Sequence, residues 1–147
     1  MFADFLKKLT APQPQPLPDA DARLALTALL VRIARADGVY HDSEVARIDR
    51  LLAHRYSLGP FEAGDLRRKA EALEAEAPDT VRFTRAIKDA VPLEERTAVI
   101  EALWDLALAD GARDQEEDAL IRLVANLLGF NDRDSAMARK RVEGRNR

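Results

Sequence analysis

A fifteen-residue pattern that occurs twice constrains the fold of this chain more than any other feature. The copies begin at Ala34 and Ala107, and both read A-x-A-D-G-x5-E-x-A-x-I. Small residues before an Asp-Gly break, followed by an acidic helix start, are typical of two helices joined by a turn. The pattern therefore predicts two related helix-turn-helix units. We call the breaks the first Asp-Gly turn, Asp37-Gly38, and the second Asp-Gly turn, Asp110-Gly111.

The spacing of apolar residues predicts an all-α fold, a bundle of about seven helices. From Asp19 to about Val142, apolar residues recur every three or four positions, and no alternation typical of β-strands is present. Prolines such as Pro78 and Pro92 mark helix starts. A length of 147 residues with 47% hydrophobic content suits one domain with a real core. We therefore expect residues 19–147 to form a single helical domain.

Residues 1–18 are predicted to be a separate N-terminal segment. Proline occurs at every second position from Pro12 to Pro18, which favours an extended tether. Before it, four apolar residues at helical spacing form a short stripe that needs a surface to lie on. That surface is either the core of the domain, the favoured interpretation, or a membrane interface or partner groove. The stripe consists of Phe2, Phe5, Leu6 and Leu9.

The acidic residues of the repeat are interpreted first as helix caps. Carboxylates in the first turn of a helix accept hydrogen bonds from backbone N–H groups that have no partner inside the helix, and Asp114 with Glu117 matches a capping box. In the first copy His41 occupies the position of Asp114, so Asp42 or Ser43 would cap if the helix began later. The alanines around both turns would let the two helices of each unit approach closely.

Metal binding is the alternative interpretation of the same residues. The spacing D-G-x5-E reproduces the fifth, sixth and twelfth positions of an EF-hand loop, but the first and third positions carry no oxygen ligand in either copy. A true EF-hand is excluded. What remains is a hypothesis that a divalent cation, calcium or magnesium, is held with help from backbone carbonyls and water. Its candidate ligands are Asp37, Glu44, Asp110, Asp114 and Glu117.

The residues needed for catalysis are missing from the sequence. Without cysteine there is no thiolate nucleophile and no cysteine zinc site, and no glycine-rich phosphate loop or H-E-x-x-H helix is present. His41 and His54 are interpreted as lone surface histidines. The sequence therefore predicts a protein that is not an enzyme.

The charge distribution limits the partners. A net charge of -3 excludes general binding to nucleic acid. The run Arg67-Arg68-Lys69 is predicted to be a solvated helix face with local charge pairs. The basic C-terminal tail from Arg139 to Arg147 is either a hydrated end or a contact for anionic lipid or an acidic partner. Together with the N-terminal stripe, it supports an alternative function as a membrane-peripheral adaptor whose acidic turns are only structural.

The paired A-D-G turns, each followed by glutamate within a helical hairpin, resemble the tellurite-resistance TerB family and the related N-terminal domain of DjlA-type co-chaperones. The resemblance covers about residues 20–130, and this chain departs from the symmetric acidic pattern at His41. It implies a helical bundle with repeated halves, no enzyme activity, acidic surfaces that bind metal ions, and stress-linked complexes at the inner face of the bacterial membrane. It thus predicts a cytoplasmic stress-associated module that binds a protein partner of unknown identity. The matching residues are Asp37, Gly38, Glu44, Asp110, Gly111 and Glu117.

Overall fold

The computed structural model describes residues 6–7, 19–36, 38–77, 79–108 and 115–145, except the side chains of residues 19, 20, 90, 115–117 and 145. These residues form seven helices and no strand, which confirms the predicted all-α bundle. No helix among them is both long and apolar enough to cross a bilayer. The helices are α1 (Asp19–Ala34), α2 (Asp42–Tyr56), α3 (Pro60–Glu76), α4 (Thr80–Ala90), α5 (Leu93–Ala107), α6 (Gln115–Leu127) and α7 (Asp132–Arg145).

Helix α1 lies at the centre of the bundle. It contacts α2, α3, α4, α5 and α6, so its side chains are covered on nearly all sides. A helix that is apolar on most sides belongs inside a protein, and residues 24–34 of α1 are apolar except for Thr27 and Arg32. Its buried apolar side chains are Ala25, Leu26, Ala28, Leu29, Leu30, Val31, Ile33 and Ala34.

The two sequence repeats pack in a similar way, although not as close hairpins. The most extensive contact of α1 is with α3, and that of α5 is with α7, so each first helix packs mainly on the helix after next. The alanines expected to bring α1 against α2 and α5 against α6 do not all do so, because Ala46 and Ala119 are exposed. Ala46 lies two positions from the buried Glu44 and Ile48, which places it on the opposite face of α2.

Helix α2 ends at a residue that the sequence pattern does not indicate. Ser57 adopts the left-handed conformation, with φ 54° and ψ 47°, and the N–H of Leu58 donates to Ala53 O at 3.0 Å. The nearby Gly59 instead precedes α3 with an ordinary φ of -72°. The left-handed position at this helix end thus carries a side chain where glycine is the usual residue.

Replacing Ser57 with glycine should stabilise the protein by about 0.5–1 kcal/mol, because glycine enters the left-handed region without the clash between Cβ and backbone. Urea unfolding of the wild type and the S57G variant measures the difference. The matched control is S57A, which keeps Cβ and should bring no gain. Equal stability of the glycine and alanine variants would contradict the prediction.

Helices α5 and α7 are joined around the single tryptophan. Trp104 is buried, and its Nε1–H donates to Ser135 Oγ at 3.1 Å. The Arg139 guanidinium lies 5.6 Å from the centre of the Trp104 ring, and its Nε pairs with Glu143 at 3.3 Å. Arg139, predicted as part of a free basic tail, therefore packs against the domain.

The N-terminal segment is described only at Leu6 and Lys7, which have helical backbone. Leu6 is partly buried and packs against the hydrophobic core, as expected if the stripe lies on the domain itself. The other residues of the stripe and the proline tether lie outside the described residues.

Candidate functional site

Glu44 is the one predicted metal ligand whose side chain the structure describes. It is buried, with 3% of its surface exposed, and its Oε1 accepts a hydrogen bond from the backbone N–H of His41 at 3.3 Å. His41 precedes α2 with extended backbone angles, so neither Asp42 nor Ser43 is needed as the N-cap. The capping role predicted for the glutamate is confirmed in the first copy. The other candidate ligands, Asp37, Asp110, Asp114 and the Glu117 side chain, lie outside the described residues.

The first Asp-Gly turn brings the chain from α1 to α2 through a left-handed glycine. Gly38 has φ +83°, and its N–H donates to Arg35 O at 3.0 Å. Glycine is suited to this position because the left-handed region disfavours residues with Cβ. The next residue, Val39, is half exposed.

An ion-pair cluster fixes the α1 side of this turn to α3. Glu74 accepts from Arg32 Nε through Oε1 at 3.2 Å and from Arg35 Nη1 through Oε2 at 2.8 Å. Arg32 Nη2 also donates to the backbone carbonyl of Glu74 at 3.3 Å. The Glu74 and Arg32 side chains are largely buried, so these bonds are less screened than surface pairs.

A second cluster fixes the α2 side of the turn to α3. Arg67 joins the two helices, because its Nε donates to Asp49 at 2.7 Å and its Nη1 to Glu71 at 3.2 Å. Tyr40 packs under Arg35, whose Cζ lies 5.0 Å from the ring centre. Burial and the adjacent Glu71 carboxylate raise the pKa of Tyr40, so the phenol stays neutral. Together the two clusters hold both sides of the first Asp-Gly turn.

The sequence pattern predicted that Arg67 lies on a solvated helix face, but the structure gives it a role between two helices. Lys69 does form the expected surface pair with Asp65, and Arg67 pairs with Glu71 one turn away. However, Arg67 also bonds to Asp49 of another helix and is only 14% exposed, so it is not part of a solvated face. The sequence does carry a signal for the other cluster: Arg32 follows a largely apolar run in α1, and a cation in such a position needs a partner.

A cleft lies between α2 and α5, and α1 forms its floor. Its volume is about 170 Å³, and we call it the α2/α5 cleft. Its apolar lining comes from Leu26 and Leu30 on α1, Leu51 and Leu52 on α2, and Ala98, Val99 and Ala102 on α5. Its polar lining is Thr27, His54, Arg55, Tyr56, Glu101 and Asp105.

Two ion pairs connect α2 with α5 along this cleft. Arg47 pairs with Asp105 at one end, and Arg55 pairs with Glu95 at 2.6 Å at the other. Because Arg47 precedes Arg55 in the chain while Asp105 follows Glu95, the helices are antiparallel. The α2 wall thus contributes cations and the α5 wall carboxylates.

The Arg47–Asp105 pair also relates the two repeats in space. Arg47 lies near the beginning of α2, just after the first Asp-Gly turn, and Asp105 lies near the end of α5, just before the second. The start of α2, after the first turn, and the end of α5, before the second turn, therefore lie close together.

No cluster of metal ligands is assembled among the described residues. No group of three or more histidine, cysteine, aspartate or glutamate side chains among them could hold a metal ion. His41 and His54 are both exposed, which confirms their interpretation as surface histidines.

Comparison with known proteins gives one match. A family model described as tellurite resistance protein TerB matches residues 23–140, which is most of the chain. No curated protein and no solved structure matches the chain.

Proposed function

The chain belongs to the TerB tellurite-resistance family, and we propose that it is a non-enzymatic, stress-associated module that acts by binding a protein partner. The α2/α5 cleft is the observation that carries this proposal. Its apolar walls and charged rim have the composition of a pocket that receives an anchor residue from another protein.

The size of the cleft favours a side chain over a cofactor. Small-molecule and cofactor sites usually occupy about 300–1,000 Å³, whereas a cavity of about 150 Å³ accommodates a benzene ring. The α2/α5 cleft, at about 170 Å³, therefore suits one leucine or aromatic side chain. The Arg47–Asp105 and Arg55–Glu95 pairs satisfy their own charges, so a partner need not break them.

Filling the cleft from inside should abolish partner binding. Ala102 is half-buried in the cleft wall, and the A102W variant would place an indole where the anchor is expected. The matched control is A75W, on the exposed face of α3. Affinity capture from tellurite-stressed cells, with bound proteins identified by mass spectrometry, should recover the same partner with wild type and A75W but not with A102W. Recovery with all three proteins would exclude the cleft as the binding site, and thermal unfolding of each variant checks that the fold is retained.

Divalent-cation binding at the Asp-Gly turns is the second proposed function. Support comes from the Arg47–Asp105 pair, because it joins the start of α2, just after the first turn, to the end of α5, just before the second. Two acidic turns at one end of a bundle can together supply the several oxygen ligands that calcium or magnesium requires. In such a site Glu44 would have to combine a ligand role with its bond to the His41 amide.

Calorimetric titration of metal-stripped protein with calcium, magnesium and manganese tests this second function. We expect the D37N and D110N variants each to weaken binding at least tenfold, because each removes a charged ligand. The control is D65N, which changes a carboxylate already paired with Lys69 on the surface of α3. Absence of binding by the wild type would assign the turns a capping role alone.

A further inference from the structure

The outer face of α4 carries a line of cations. The inner face of this helix is fixed by Phe83, Thr84, Ala86 and Ile87, which are buried. The opposite side is therefore held in solvent. It presents Arg82, Arg85 and Lys88, all exposed and three residues apart. Residues at this spacing lie on one side of a helix, with about 4.5 Å of rise between successive members. We call these three residues the α4 stripe.

The α4 stripe differs from the arginines that join helices of the bundle. Within the described parts of the chain, Arg32, Arg35, Arg47, Arg55 and Arg67 all form ion pairs. None of the stripe side chains forms one with those same parts of the chain. The nearby carboxylate of Asp79 caps α4, accepting from the backbone N–H of Arg82 at 3.0 Å. Within those described parts, the stripe side chains are exposed and their charges are not neutralised by an ion pair.

The positive surface continues beyond the end of α4. Lys88 and Arg96 both lie beside Gly129, since a Cβ built there would stand 3.4 Å from Lys88 Cε and 3.3 Å from Arg96 Nη1. Arg96 Nη1 donates to the Leu128 carbonyl at 2.7 Å, at the C-terminal end of α6. Cations near a helix C-terminus interact favourably with its dipole, so this end of the surface is held in place.

We propose that the α4 stripe is a docking surface for an acidic segment of a protein partner. The surface is separate from the α2/α5 cleft, which is formed by other helices, and its assignment does not depend on what occupies the cleft. Arg82 and Arg85 supply planar guanidinium groups, which bind carboxylates in a bidentate manner. Three cations along about 9 Å of helix axis match a short acidic segment, since two carboxylates at alternate positions of an extended chain lie about 7 Å apart.

The surroundings of the stripe favour a narrow acidic segment over an anionic membrane. Asp79 and Asp89 are exposed at the two ends of α4, and the protein has a net charge of -3. A flat anionic membrane surface would meet these carboxylates together with the three cations, and each carboxylate would oppose binding. A peptide can follow the cations and avoid the carboxylates.

Fluorescence anisotropy of a labelled octaglutamate peptide, measured at low ionic strength with the full chain, tests the proposal. We expect saturable binding by the wild type that weakens as salt is added. The R82E/R85E variant should weaken binding at least tenfold. The matched control is R50E/R68E, which makes the same change in net charge at exposed positions on α2 and α3 and should retain binding within about twofold.

Three outcomes would overturn the proposal. Unchanged binding by R82E/R85E would place the peptide elsewhere, and equal loss in both double variants would show a response to net charge alone. Vesicles of phosphatidylserine and phosphatidylcholine are tested in parallel. Binding of the wild type to these vesicles but not to the peptide, lost only in R82E/R85E, would assign the stripe to a lipid surface instead.

Discussion

Replacing Leu29 with alanine is expected to lower the free energy of unfolding by about 3–5 kcal/mol, the largest effect among the substitutions considered. Leu29 has no exposed surface and lies on α1, which five other helices cover. A helix enclosed in this way cannot shift to fill the space left by the missing methyl groups, so most of the cavity should remain.

Urea unfolding followed by the fluorescence of Trp104, the single tryptophan, measures this loss. The matched control is L123A on α6, because Leu123 is 41% exposed and should cost less than about 1 kcal/mol. If L29A fails to fold, the smaller change L29V should still cost more than L123A. Equal costs for L29V and L123A would contradict the central position assigned to α1.

Replacing Glu74 with glutamine is expected to cost about 2–3 kcal/mol, between the values typical of exposed and buried ion pairs. The substitution keeps the shape of the side chain but leaves Arg32 and Arg35 close together without their shared carboxylate. Because the Glu74 side chain is only 12% exposed, water replaces the lost interactions poorly.

The comparison for E74Q is D65N on the same helix, which weakens the exposed pair with Lys69 and should cost less than about 0.5 kcal/mol. Chemical unfolding of both variants in low and high salt provides the measurement. Similar costs for E74Q and D65N would mean that the Arg32–Glu74–Arg35 cluster adds little to the stability of the first Asp-Gly turn.

Local patterns in the sequence were enough to predict most of the helices. Helix α2, from Asp42 to Tyr56, is one example, because its apolar positions and its glutamate cap lie within a few residues of each other. The start of α5 after Pro92 followed from the preference of proline for helix beginnings. Such signals come from residues within one or two helical turns of each other, so they can be identified in a single sequence.

The long-range contacts could not be predicted in the same way. Arg32 and Glu74 are far apart in the chain, and nothing in either neighbourhood indicates that they pair. The α2/α5 cleft depends on how α1, α2 and α5 are arranged, which the spacing of apolar residues leaves open. Five acidic residues were predicted as candidate metal ligands. The structure describes the side chain of one of them, Glu44, which has the capping role that was the favoured interpretation.

The central position of α1 has a consequence for how the two copies of the sequence pattern depend on each other. Helix α1 ends where the first copy begins, yet it packs on α5 and α6, the helices on either side of the second turn, as well as on α2 and α3. A fragment ending near Val91 would expose to water the leucines of α1 that α5 and α6 cover. A fragment made of the remaining helices would lack α1, against which its own apolar side chains pack. We therefore expect that neither half folds as a separable module.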